Sequence, residues 1–81
     1  MTPEDVQAML KAEPFVPLRV RLDDGTAYVI THPKLSMVTR QRMIIGFPEA
    51  GTNGQLAGDM VYVGWSVIVG VDRLVPEGSV A

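Results

Sequence analysis

The chain has 81 residues, 47 % of them hydrophobic and 20 % charged, and no cysteine. That length holds one small domain, excludes a two-domain enzyme, and buries only about 60–65 % of the surface that the unfolded chain exposes. Seven basic against nine acidic residues give a net charge of −2, which argues against a dedicated, strongly basic nucleic-acid binder, and the lack of cysteine removes disulfides, thiolate-bound zinc and thiol catalysis.

Thr2-Pro3-Glu4-Asp5 has the composition of a helix start. It offers a hydroxyl for a free amide, proline at the first helical position, and carboxylates against the positive end of the helix dipole. Val6, Met9 and Leu10 follow at i, i+3 and i+4, which predicts a short amphipathic helix over 2–12; Pro14 stops it. From Phe15 the period changes to two. Leu18, Val20 and Leu22 alternate with Arg19 and Arg21, and the run resumes at Thr26 to Ile30 beyond Asp24-Gly25. Asp-Gly between alternating runs predicts a hairpin closed by a two-residue type I′ turn. Such a loop sets Leu22 opposite Ala27, Arg21 opposite Tyr28 and Val20 opposite Val29. Ala27 and Val29 then join the core face, while Tyr28 and Ile30 share the other face with Arg19 and Arg21. Asp23 and Asp24 read as turn carboxylates that satisfy nearby amides.

His32-Pro33 breaks the ladder, because proline supplies no amide donor. Two further strands, 36–39 and 42–47, are expected around an Arg40-Gln41 turn, with Met43-Ile44-Ile45 buried and Met37, Met43 and Met60 as core filler. Residues 48–58 hold three glycines and read as a long surface loop. Met60 to Val71 is apolar at nearly every position, which suits strands covered on both faces. Gly64-Trp65-Ser66 divides it in two, Trp65 belongs to the core, and Gly70 marks a bulge or a bend of the kind that closes small barrels. Val75-Pro76 ends the ordered chain and 77–81 is a tail. The whole is a single domain, 1–81, mainly β: a short N-terminal α-helix followed by a five-stranded antiparallel small barrel over 15–76.

Catalysis finds no constellation. His32 is the one histidine, with no second ligand at metal spacing. Gly51, Gly54 and Gly58 lack the lysine and helix of a phosphate loop, and Ser66 lacks a nucleophile elbow. No enzyme activity, cofactor, metal or small-molecule substrate is expected. The acidic N-terminus is unlike a signal peptide, and no stretch is long enough for a membrane helix; the expected location is the cytoplasm. Surfaces say more. Between Arg19 and Arg42 five bases stand against two acids, and the rest of the chain carries two bases against seven. Arg19, Arg21, Tyr28, His32, Arg40 and Arg42 are therefore candidate RNA contacts through phosphate and one stacking ring. The apolar strand Val67–Val71 has no proline, lysine or inward charge to blunt its edge until Asp72. Met60, Val61, Tyr62, Val63, Val67, Ile68, Val69 and Val71 are accordingly the candidate contact surface of a homo-oligomer.

A helix, a hairpin on an Asp-Gly turn, two middle strands and two short strands divided by a tight break resemble the Sm-like small barrel of Sm proteins and the bacterial RNA chaperone Hfq. Met60-Val61-Tyr62 and Val75-Pro76 are similar to the Met-Val-Tyr and Val-Val-Pro of Hfq's last strands. Val63-Gly64 stand where Hfq carries the Lys-His of its uridine pore, and the Sm signature Asp-x-x-x-Asn is absent. The resemblance implies a ring of copies and an RNA ligand. Pro14-Phe15-Val16-Pro17-Leu18, Asp24-Gly25 and His32-Pro33 also resemble a group of small uncharacterised bacterial proteins. Two functions follow as expectations: a self-associating, RNA-binding Sm-like module, or a protein-binding or structural barrel of the Src-homology type.

Overall fold

A computed structural model describes residues 2–74; Val75-Pro76 and the tail 77–81 lie outside them. Helix α1 (Pro3–Lys11) starts as the sequence predicts. The Thr2 hydroxyl accepts the Asp5 N–H at 3.2 Å, and the Asp5 carboxylate accepts the Thr2 N–H at 3.3 Å, a reciprocal capping box. Its stripe buries Val6 and Leu10, with Met9 at the margin of the core.

Strands β1 (Leu18–Leu22) and β2 (Ala27–Ile30) form the expected hairpin in a different register. Val20 lies opposite Tyr28, Arg21 opposite Ala27, and Leu18 opposite Ile30. The loop holds three residues, not two. Leu22 N–H donates to the Thr26 carbonyl at 2.8 Å, and Gly25 N–H to the Leu22 carbonyl at 3.1 Å. Gly25 alone takes a left-handed φ, +90°, whereas a type I′ turn needs positive φ at Asp24 as well. Asp24 instead bends back to accept the Thr26 N–H at 2.8 Å. One added loop residue shifts the strand by one place and turns every side chain to the opposite face. Ile30 is buried and Tyr28 faces inward against Phe47, ring centroids 6.0 Å apart. Ala27 and Val29, expected in the core, are exposed.

A 3-10 turn at Pro33–Leu35 leads into the two-residue strand β3 (Met37–Val38), then β4 (Arg42–Pro48) and β5 (Ala57–Gly64). Thr39 N–H donates to the Arg42 carbonyl at 2.9 Å, which closes the predicted turn over Arg40 and Gln41. Both long strands reach into the expected 48–58 loop, so the irregular stretch is 49–56. A second 3-10 turn, Trp65–Val67, sits at the predicted break and passes the chain to β6 (Ile68–Arg73). The Trp65 indole N–H donates to the Thr39 carbonyl at 2.8 Å while its ring packs on the core.

Among the described residues, six strands therefore make two three-stranded antiparallel sheets, ordered β2-β1-β6 and β3-β4-β5. The expected single barrel of five strands does not close among the described residues. Pro33 and its 3-10 turn separate β2 from β3, the turn Trp65–Val67 separates β5 from β6, and neither seam is paired. The core lies between the sheets, where Leu18, Val20, Ile30 and Val71 meet Met43, Ile45 and Val63, with α1 adding Val6 and Leu10. Outside the second sheet, Leu35 covers β4 at Gly46, where a Cβ would collide with the Leu35 carbonyl. Between Arg21 and Leu22 the β1–β6 register skips, which leaves Val69 as the extra residue of a bulge next to Gly70.

Candidate functional site

The apolar run from Met60 to Val71 is not covered on both faces. Alternation along β5 turns Val61 and Val63 inward and leaves Met60 and Tyr62 outside, Tyr62 at 60 % exposure. On β6 Val71 is buried, Ile68 packs against the core with Val67, and Val69 stands in its bulge at 58 % exposure. Of the eight candidate contact residues, Met60, Tyr62 and Val69 are thus the ones that reach outward. Met37 and Met60, expected as core filler, are exposed; Met43 fills the core.

Pairing carries this surface across the sheet. Met37 lies opposite Ile44, and Ile44 opposite Tyr62, so three apolar side chains stand abreast on the outer face of the second sheet. The sequence held this row in plain composition, but its members are far apart along the chain and only the register aligns them. Among the described residues, the same sheet ends at β5, which pairs with β4 alone, and the first sheet ends at β6, which pairs with β1 alone. No described strand pairs with either outer edge, and an edge strand turns a row of backbone donors and acceptors outward.

The six candidate RNA-binding residues divide among separate places. Arg19 and Arg21 lie on the outer face of β1, and both meet Asp72 of β6. Arg21 Nε is 2.7 Å from the Asp72 carboxylate and Arg19 Nη2 is 3.8 Å. The Arg21 guanidinium rests over Gly70, where any Cβ would strike it. A carboxylate 51 residues away in sequence therefore takes up part of this positive charge, and sequence spacing gave no sign of it. Tyr28 points to the opposite face from Arg21, so the pairing of those two as cross-strand neighbours is corrected. Arg40 and Arg42 flank the β3–β4 turn, both exposed. The Thr39 hydroxyl holds that turn, accepting the Arg42 N–H and donating to the Arg42 carbonyl, each at 3.0 Å.

His32 lies apart from all of these. Its Nδ1 is 2.9 Å from the Thr31 hydroxyl, and its ring edge rests on Gly54 of the 49–56 loop. Asp24 is held below the usual carboxylate range, first by the Thr26 N–H and then by the Thr26 hydroxyl, as a turn carboxylate is expected to be. Among the described residues no three His, Cys, Asp or Glu side chains gather as metal ligands, and no helix is long and apolar enough to cross a membrane. Comparison with family models, with curated proteins and with solved structures gives no match to this chain.

Proposed function

We propose that this chain is a non-catalytic binding module that assembles with copies of itself through the outer edges of β5 and β6. The observation that carries this reading is the coincidence of two open strand edges with exposed Met60, Tyr62 and Val69. Long apolar edges invite pairing, and soluble monomers usually blunt them with lysine, proline or a cover. On β6 such devices are confined to the bulge at Val69 and the charged pair Asp72-Arg73 at its far end, which leaves Ile68 to Val71 without a charge. Pairing the β5 edge of one copy with the β6 edge of the next is a head-to-tail contact, which closes into a ring where the rotation allows. This is the arrangement that the resemblance to Sm-like barrels implies.

RNA is the ligand proposed for the assembled module. Arg40 and Arg42, which make no ion pair among the described residues, are the phosphate contacts, because Asp72 competes for Arg19 and Arg21. Light scattering on purified protein tests the assembly. A multiple of the 8.8 kDa chain mass is expected at micromolar concentration, and a monomer mass overturns the reading. Val69→Lys, which sets an ammonium on the β6 edge, should disperse the particle; a variant that keeps the parent mass excludes that edge as the contact. Labelled poly-U at about 50 mM salt tests the ligand, since phosphate contacts are strongest at low ionic strength. Absence of a shift there removes RNA and leaves a protein-binding module.

A further inference from the structure

The geometry points to a second site, within one protomer, for a free mononucleotide: a phosphate monoester carried on a planar heterocyclic body. The site is the cleft between the Pro33–Leu35 turn and the loop that joins β4 to β5. It is open to solvent on one side and offers about 500 Å³, within the usual range of small-molecule sites.

Two stretches distant in sequence build it. From one side come Thr31, His32 and Lys34; from the other come Asn53 and Gln55. The loop closes onto the turn at one point, where Gly54, at φ +76°, lies against the His32 ring. A Cβ at 54 would stand 2.7 Å from His32 Nε2 and closer still to the neighbouring ring carbon, so a side chain there would strain the backbone and push the His32 ring away from the loop. The preceding residue, Asn53, also takes a left-handed φ of +54°, a conformation asparagine tolerates better than most residues. The closure thus depends on specific residues at two consecutive positions.

The lining selects a ligand by charge and shape. Among the described residues no carboxylate lines the cleft, although the chain as a whole is acidic. Lys34 is exposed and makes no ion pair among the described residues, so its ammonium is available to a phosphate as a compact cation. The Asn53 and Gln55 side-chain amides each offer donors and an acceptor, suited to the polar edge of a heterocycle. Pro33 and Leu35 provide an apolar wall for its face. None of this depends on association between copies, because every lining residue belongs to a single chain.

The test is a titration of the isotope-labelled full chain with adenosine 5′-monophosphate, followed by backbone amide spectra. Saturable shifts are expected at Thr31, His32, Lys34, Asn53 and Gln55. Adenosine without its phosphate should bind about tenfold more weakly, the scale of one lost charge-assisted hydrogen bond. Lys34→Gln should weaken the nucleotide by a similar factor, and Lys34→Arg should retain most of the affinity. Gly54→Val should abolish binding by lifting the loop from His32, while the amides of β1 and β6 keep their positions. Absence of saturation at about 10 mM nucleotide, equal affinity for adenosine, or shifts confined to Arg19, Arg21, Arg40 and Arg42 would each overturn the assignment. A monomeric protein that binds the nucleotide here refutes the proposed assembly and leaves this site standing.

Discussion

Separate truncation of Ile30 and Val29 to alanine probes the β1–β2 register directly, because adjacent residues on a strand face opposite ways. Ile30 is 1 % exposed and sits between the two sheets, whereas Val29 is 43 % exposed on the outer face. Ile30→Ala removes buried methyl groups and leaves a cavity in a core fed by both sheets, which costs about 3–4 kcal/mol. Val29→Ala loses less area from water and some strand preference, below about 1 kcal/mol. A domain of this length has a total stability of about 4–12 kcal/mol, so the first change removes about a quarter or more of it and lowers Tm by roughly 12–30 °C. Trp65, the single tryptophan, packs on the core and reports urea unfolding by fluorescence. Equal protein concentrations are needed, since association adds stability by mass action. A two-residue Asp-Gly turn would put Val29 inside and Ile30 outside. Equal costs, or a larger cost for Val29→Ala, would refute the three-residue loop and the faces derived from it.

Gly46→Ala drives a methyl group into the Leu35 carbonyl; a loss of about 1–3 kcal/mol is expected in thermal melts, and an unchanged Tm means that the turn does not sit on β4. Ser36 Oγ is buried without a hydrogen-bond partner among the described residues, so Ser36→Ala should leave stability unchanged or raise it by up to about 1 kcal/mol; a clear loss would show that the hydroxyl is satisfied. Asp24 is held below its ordinary value of 3.8 by Thr26. A lowered folded-state pKa adds stability that is present above the unfolded value and lost as pH falls through the folded one. Asp24→Asn should therefore flatten the acid limb of the stability–pH curve, and an unchanged slope would show that the carboxylate makes no such bond.

Local chemistry made several parts of this protein legible. The helix start was written in Thr2, Pro3 and Asp5, whose capping bonds need only neighbours three residues apart. The Arg40-Gln41 turn and the break at Gly64 were equally local. The hairpin was visible, but its register was not, because the choice between a two- and a three-residue loop hangs on whether Asp24 adopts positive φ or captures the Thr26 amide. Those options differ by a small energy, and burial of Ile30 rather than Val29 separates them.

The candidate surfaces divide the same way. Spacing identified the apolar run and the arginines as residues of interest, yet could not say which valines face in or that Asp72 meets Arg19 and Arg21. Composition and periodicity alone determined a small, cysteine-free, mainly β chain with one capped helix, since these follow from interactions within a turn or two of backbone. Tertiary structure alone decided the outward row of Met37, Ile44 and Tyr62, the neutralising contact at Asp72 and the cleft closed by Gly54 on His32. Each of these joins residues from separate segments, and strand pairing, which fixes their distance, is set by the packing of the whole core.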